Sequence, residues 1–433
     1  HQRFAALVRE AEEKARDFYQ QTLGRPARIE DVVDEVFAAV EHEGDDAVVR
    51  YSAAFDRTNL PADRLRVTPA ELRSAYDACD PTLRAAMHIA IEQVTTYQRR
   101  LLPVGFGEGL DQPLGVRWSA IPRVGAYVPG GPRGSLPLFS SVIMNLVPAK
   151  VAGVRETVLV TPARVDGSVA AELLAAAYAV GVDEVYKVGG IPAIAALACG
   201  TPTIAKVDKI VGPGNIVVTL AKRRAYGRVD IDMLAGPSEV LVIADGSVDP
   251  RFTAADLLSQ AEHDTLAMCI CVVLGGDPVA APIQAEITRQ VAALPGERQA
   301  VARASISRFG RLVHVRDLAE AAAVSNRIAP EHLEVLVRDP AALVPHLIHA
   351  GAIFIGPWSP EPIGDYIAGP SHTLPTGGTA RMWSGIGADT FLKRTSLINL
   401  SEAEFRRLAP AGLALANGEG LAAHANAIAV RLG

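Results

Sequence analysis

Four short stretches carry side chains whose types and spacing could do chemistry. In Gln260-Ala-Glu-His263, at the end of a helically patterned run, the spacing of three places Gln260 and His263 on one face, where both could reach one metal ion. A histidine in a last helical turn is also a favourable partner for the helix dipole, and both readings stand on these residues alone. Further ligands would come from afar: Asp365 and His372 in GDYIAGPSH, Glu419 and His424 in EGLAAH, each of which also reads as an ordinary surface residue. In Pro330-Glu331-His332 a carboxylate adjoins an imidazole. Imidazole titrates near neutrality and suits proton abstraction, while a neighbouring carboxylate can hold a water or steady the imidazolium, although such pairs also arise by chance.

The elements that must position these residues follow from patterning. The first hundred residues predict helices, with apolar positions at helical spacing in IEDVVDEVFAAVEHEG and in DPTLRAAMHIAIEQVTTYQRRLL, the latter opened by the cap and first-turn pair Asp80-Pro81. From residue 117 short β-branched runs (TVLVTPA, EVYKVGG, KIVGPG) alternate with Ala-rich helical runs, and after Gly236 the alternation resumes with EVLVIAD, MCICVVLG, RLVHV and AIFIG. That is the signature of βαβ units and mostly parallel sheets in two α/β blocks. Beyond residue 386 the pattern predicts a return to helix, ending in an Ala-rich arm from Ser401 to Leu432. Two strand-to-helix junctions are glycine-rich, YVPGGPRGSLPLFSSV and KIVGPGN, and would let backbone N–H groups approach a phosphate at a helix N-terminus. They also read as plain tight turns; no GxGxxG follows a strand, and Lys222 and Arg223 lie too far along the helix to be first-choice phosphate contacts.

Composition narrows the class of function. With 433 residues, 49% hydrophobic and 21% charged, the chain has material for more than one domain and excludes wholesale disorder. The net charge of −6, without a basic block, argues against nucleic acid and for a small-molecule partner. No apolar run approaches the roughly twenty residues of a membrane span, and the charged N-terminus does not read as a signal peptide, so cytoplasm is the expected compartment and no membrane the expected partner. Cys79, Cys199, Cys269 and Cys271 are too few and too unevenly spaced for a disulfide framework; Cys269 and Cys271, two apart in a strand-like run, predict buried packing on one face.

The strings YVPGG, VPAKVAGV, EVYKVGG, VDKIVGPGN, IDMLAGPSEVLVIAD, AADLLSQAEHD, SNRIAPEHLE, GDYIAGPSH, LPTGGTAR and EGLAAHA, in this order over nearly the whole chain, resemble the histidinol dehydrogenase family. The resemblance implies an α/β, domain-swapped homodimer of two incomplete Rossmann-like domains with helical extensions. Residues 1–23 would form an N-terminal helical extension, 24–126 and 239–386 a framework domain, 127–238 an inserted Rossmann-like domain, and 387–433 a C-terminal helical arm crossing to the partner. It implies a zinc- and NAD-dependent oxidation of L-histidinol to L-histidine, the last step of histidine biosynthesis, with one zinc per subunit. The family's zinc ligands fall on Gln260, His263, Asp365 and His424, its catalytic pair on Glu331 and His332, and its NAD contacts on Tyr127 and Asn215. Ser238, Glu361, His372 and Glu419 match contacts to the cationic amino alcohol, alongside the zinc ligands and His332.

Two departures fall in the cofactor half. The loop PRGSLPLFSS is longer than the family's and contains Arg133, whose guanidinium could meet the NAD pyrophosphate or could be a plain surface residue. Pro192 stands in KVGGIPAIAAL where the family has a glutamine that holds NAD, so an amide and a backbone donor are lost together. The nearest rivals are a sister dehydrogenase acting on a sulfonated diol, and a catalytically silent zinc-binding paralogue; the retained Glu331, His332, Glu361, His372 and Glu419 favour histidinol oxidation.

Overall fold

The computed structural model describes residues 2–130 and 137–433. They form two compact units: a small one of Leu102–Ala120 with Leu392–Gly433, and a large one comprising His1–Leu101 and Ile121–Phe391. Strand β1 (Leu114–Ala120) belongs to the small unit.

In the large unit, β2 (Arg123–Tyr127), β3 (Glu156–Val160), β4 (Glu184–Tyr186), β5 (Lys209–Val211) and β6 (Asp230–Ile231) make a parallel sheet in the order β4-β3-β2-β5-β6. A second parallel sheet, β11-β10-β7-β8-β9, is built from β7 (Glu239–Ala244), β8 (Met268–Leu274), β9 (Arg311–Val315), β10 (His332–Leu336) and β11 (Ala352–Ile355). The central strands β2, β7 and β10 are buried along their whole length, as parallel strands covered on both faces must be. In each sheet the chain builds outward on one side of its first strand and then crosses to the other. The reversal falls between β2 and β5 in the first sheet, and between β7 and β10 in the second.

Helices cover both faces. Ile29–Glu43 and Asp45–Asp56 pack with Gly190–Cys199 and Ile216–Ala225 over one face of the first sheet, around Val32, Phe37, Val158, Ile194 and Ile210. Pro81–Arg99, Ser140–Val151 and Ala171–Val180 cover the other, around Met87, Val124, Leu146 and Leu173. The start of Pro81–Arg99 follows the sequence expectation: the Asp80 carboxylate accepts the free N–H groups of Thr82 and Leu83, and Pro81 occupies a first-turn position that needs no donor. Cys269 and Cys271 are buried in one apolar cluster beneath Pro250–Ala261, as the spacing predicted. No helix of the described residues is long and apolar enough to cross a membrane.

The segment after residue 386 departs from the helical expectation. It first runs as β12 (Leu392–Ile398), antiparallel to β1 from Leu114 opposite Ile398 to Ala120 opposite Leu392, before the helices Glu402–Gly418 and Ala422–Ala429. This two-stranded ribbon is largely exposed, so no apolar alternation marks it in the sequence, and its conformation rests on a partner nearly three hundred residues away.

Candidate active site

The chemistry gathers at the amino-terminal edge of the second sheet. β10 begins at His332, in register with Val240 of β7 and Ala352 of β11. Glu239, the first residue of β7, orients both members of the acid–imidazole pair through its backbone: its N–H donates to Glu331 Oε2 at 2.9 Å, and its carbonyl lies 3.0 Å from His332 Nδ1. A carbonyl can only accept, so Nδ1 carries the hydrogen and Nε2 is left to bind or release a proton. His332 is 2% exposed, and its Nε2 has no hydrogen-bond partner.

That nitrogen faces Asp365 Oδ1 at 3.5 Å and Glu361 Oε1 at 3.9 Å. Both acids stand on the short helix Glu361–Tyr366, which packs back over β11 with Gly364 against the Phe354 ring. Glu361 is held at both ends, its N–H donating to Glu334 Oε1 at 2.8 Å and its carboxylate accepting from Ser259 Oγ at 2.7 Å. His372 Nδ1 donates to the Asp365 carbonyl at 3.0 Å, which leaves Nε2 to accept from Ser141 Oγ at 3.0 Å. Gln260 lies in the last turn of the helix Pro250–Ala261, next to Ser259; its Oε1 is buried without a hydrogen-bond partner, and His263 follows two residues past the helix end. Ser238 directly precedes β7, its carbonyl accepting from Met268 N–H. A 340 Å³ cleft along β11, walled by Phe354, Ile363 and Leu374, reaches the centre only through Asp365 and His372.

Burial and crowding of like charges set the protonation. Desolvation alone would lower the His332 pKa, but Glu331, Asp365 and Glu361 overcome it and push it up to about 10. Desolvation raises Glu331 to about 8 against the pull of His332, and raises Glu361 to about 7 with the help of Asp365. Asp365 goes the other way: burial opposes ionisation, yet the neighbouring imidazolium carries it below its ordinary value. His263 has substantial exposed area, but protein crowds it closely enough for desolvation to draw its pKa down, with Asp365 opposing. Desolvation also lowers His372.

The donor chemistry here fits a zinc ion. A glutamine carbonyl, an imidazole and a carboxylate are suitable ligands, and the stranded Gln260 oxygen is a buried acceptor that costs free energy until something takes it up. Among the described residues, His332, Glu361 and Asp365 also bring one ligand atom each within 4.8 Å of one another, a set sharing only Asp365 with the family's ligands.

The glycine-rich junctions lie at the opposite kind of edge, beyond the carboxyl ends of β2 and β5, at the crevice where the first sheet reverses. Gly212 has φ +107°, and a Cβ there would collide with the Tyr127 carbonyl across the seam; at Gly130 a side chain would collide with Thr161. Asn215 is exposed and caps Ile216–Ala225, its Oδ1 accepting from Val218 N–H at 3.1 Å. Tyr127 is buried in the core, and burial raises its phenol pKa, with the nearby Gly190 N–H opposing. Pro192 is buried in the first turn of Gly190–Cys199, where helical N–H groups lack an intrahelical partner, so the helix itself tolerates the ring. Arg133 lies outside the described residues.

Thus Glu331, His332, Glu361, Asp365, His372 and His263 come together electrostatically, with Gln260 on the same helix end as Ser259. Glu419 and His424 stand on the small unit, both exposed. Sequence reasoning missed Glu239, Ser259 and Glu334, although an acid inside the apolar runs EVLVIA and HLEVL is a usable signal, because buried acids need a partner or a task.

Parallel sheets bearing a backbone-oriented acid–imidazole pair among buried carboxylates define an α/β enzyme equipped for proton transfer on a small polar substrate. Comparison with known proteins specifies it. The family model described as histidinol dehydrogenase matches residues 20–432. The histidinol dehydrogenase of Moorella thermoacetica is 50% identical over 401 residues, 92% of this chain and 93% of that protein. That of Syntrophotalea carbinolica is 47% identical over 409 residues, 94% and 93%. The crystal structure of histidinol dehydrogenase from Elizabethkingia anophelis superposes with a TM-score of 0.88 at 34% identity, covering 94% of this chain and 93% of that one. The chain belongs to the histidinol dehydrogenase family and is an oxidoreductase.

Proposed function

We propose that the protein oxidises L-histidinol to L-histidine through histidinal, using zinc and NAD. The observation that carries this reading is His332: tethered at Nδ1 by the Glu239 carbonyl, it presents a buried Nε2 that no hydrogen bond ties to the facing Asp365 and Glu361 carboxylates. Gln260, His263 and Asp365, with His424, would hold zinc, which when bound supplies a positive anchor for the substrate's imidazole and amino nitrogens. Tyr127 and Asn215 would hold NAD, which supplies the hydride acceptor. Oxidation of a primary alcohol to a carboxylate removes four electrons, so NAD is needed twice.

His332 Nε2 takes the hydroxyl proton in the first oxidation. At rest the surrounding carboxylates hold a proton there, and a substrate ammonium placed beside Asp365 and Glu361 opposes their push, so binding favours the neutral imidazole the reaction needs. Glu331, adjoining His332, then helps activate the water that hydrates the aldehyde before the second oxidation. Ser238, Glu361, His372 and Glu419 complete the substrate's surroundings, the acids suiting a cationic amino alcohol.

Glu419 and His424 make the site dependent on the small unit, which we assign to a domain-swapped homodimer. In support, that unit exposes large apolar side chains, including Ile398 at 73%, Leu415 at 70% and Val430 at 63%. Co-refolding His332→Ala with His424→Ala chains should restore activity through one intact site; silence in verified heterodimers would remove the swap. The activity itself is tested with a substrate panel on the zinc-supplemented protein. Two equivalents of NADH and one of L-histidine should form per L-histidinol, and turnover confined to a sulfonated diol or another alcohol would overturn the substrate.

A further inference from the structure

Lys222 is set aside as a phosphate contact by its position along Ile216–Ala225, and the structure gives it another partner. Its side chain is 3% exposed and forms an ion pair with the side chain of Asp232, which is 1% exposed. Both members grip the same residue: Lys222 Nζ donates to the Gly212 carbonyl at 2.9 Å, and Asp232 Oδ2 accepts from Gly212 N–H at 2.7 Å. Asp232 Oδ1 also accepts from Met233 N–H at 2.6 Å, and Thr219, one helical turn before Lys222, donates to the Ala235 carbonyl at 3.0 Å. Gly212 is the left-handed residue packed against the Tyr127 carbonyl, at the point where the first sheet reverses, and Asn215 caps the helix three residues later.

A buried ion pair is a poor device for stability alone, since desolvating two charges offsets most of their attraction. A pair that also holds both the N–H and the C=O of one glycine fixes a backbone position instead. We propose that Lys222 and Asp232 are positioning residues for dinucleotide binding, locking the Gly212–Asn215 turn in the conformation that receives NAD. This rests on the reading that NAD binds at that turn.

The test compares Lys222→Met, Asp232→Asn and the double variant in steady-state kinetics, with thermal melting and zinc content measured alongside. Each single variant leaves one charge buried and unpaired, and should both melt earlier and raise the KM for NAD. The double variant removes both charges and keeps an acceptor for Gly212 N–H, so its melting temperature should recover. It still lacks the bond to the Gly212 carbonyl, so its KM for NAD should stay at least about fivefold above the parent's while zinc content and the KM for histidinol remain the parent's. Recovery of both melting temperature and KM would reduce the pair to a structural device and overturn the proposal. Hydrogen exchange of the parent with and without NAD separates the underlying reading: protection of residues 212–220 supports NAD at the turn, and unchanged exchange there overturns that reading and the proposal with it.

Discussion

The two sheets share an architecture and gather their conspicuous polar groups at opposite edges. The first presents carboxyl ends, where β2 and β5 run out into glycines and the polar groups on offer are mostly backbone. The second presents amino ends, where the residues that open β7 and β10 and a folded-back helix bring three acids, Glu331, Glu361 and Asp365, around one imidazole. A backbone edge suits a ligand that is bound and released unchanged in position. A side-chain edge, desolvated and crowded with acids, can shift pKa values by several units and so move protons. On this division, damage to the second edge should fall on turnover and damage to the first on cofactor affinity.

The largest effects belong to the second edge. Asp365→Ala and His263→Ala should lose zinc and activity together, checked by elemental analysis. His332→Ala should lose about 10²- to 10⁴-fold in turnover while keeping its zinc, the magnitude expected of a general base; loss of the metal in that variant would make His332 a ligand and favour the His332–Glu361–Asp365 set. Glu331→Gln should be narrower, slowing oxidation of supplied histidinal far more than the first alcohol step; unchanged aldehyde oxidation would refute its part in activating water.

Weaker effects belong to the first edge and its supports. Pro192→Gln restores the family's amide and should tighten NAD, by a few-fold to about tenfold, with the KM for histidinol unmoved. An effect on turnover instead would blur the division. Smallest is the tie between Lys187, just past β4, and Glu71 on the helix Pro69–Ala78. Burial opposes ionisation of Glu71, but Lys187 and the Thr68 N–H and hydroxyl hold its pKa down at about 2. A depressed carboxylate stabilises the fold above its unfolded value of 4.5, and that contribution fades as pH falls from there toward 2. Since the carboxylate is 43% exposed, solvent screening limits it to about 1 kcal/mol or less. Glu71→Gln should melt slightly earlier than the parent at pH 7, and the two should converge near pH 2; a gap that widens in acid would reverse the sign.

What the sequence discloses follows the range of the interactions. Strands β3, β5, β7 and β8 and the cap at Asp80 were legible, because each is written in local periodicity or in one capping residue. β12 was not, because an exposed ribbon carries no pattern and is stabilised by a distant partner. Nor is it a local matter which sheet the helices of residues 29–99 cover. At the site, residue types nominated Glu331, His332 and Asp365, and the resemblance sorted their roles. The part played by Glu239 stayed hidden, since it acts through a peptide group common to every residue, and so did that of Lys222, whose inward turn depends on where Asp232 comes to rest.

The beginning of β10 has a further consequence for how this chain can change. Helix Leu318–Ile328 is stopped by Ala329 in the left-handed conformation, φ +52°, and Pro330 follows, so the count of residues from that stop fixes which side chain opens the strand. Hydrogen bonding to β7 and β11 on both flanks allows β10 no slippage, and successive side chains alternate between faces. Removing one residue between Ala329 and His332 would deliver Leu333 to the place of the imidazole, and adding one there would deliver Glu331 or the added residue, with the composition almost untouched. Length here is therefore inherited as strictly as identity: the stretch can accept new letters at some positions, but it cannot accept a new spacing.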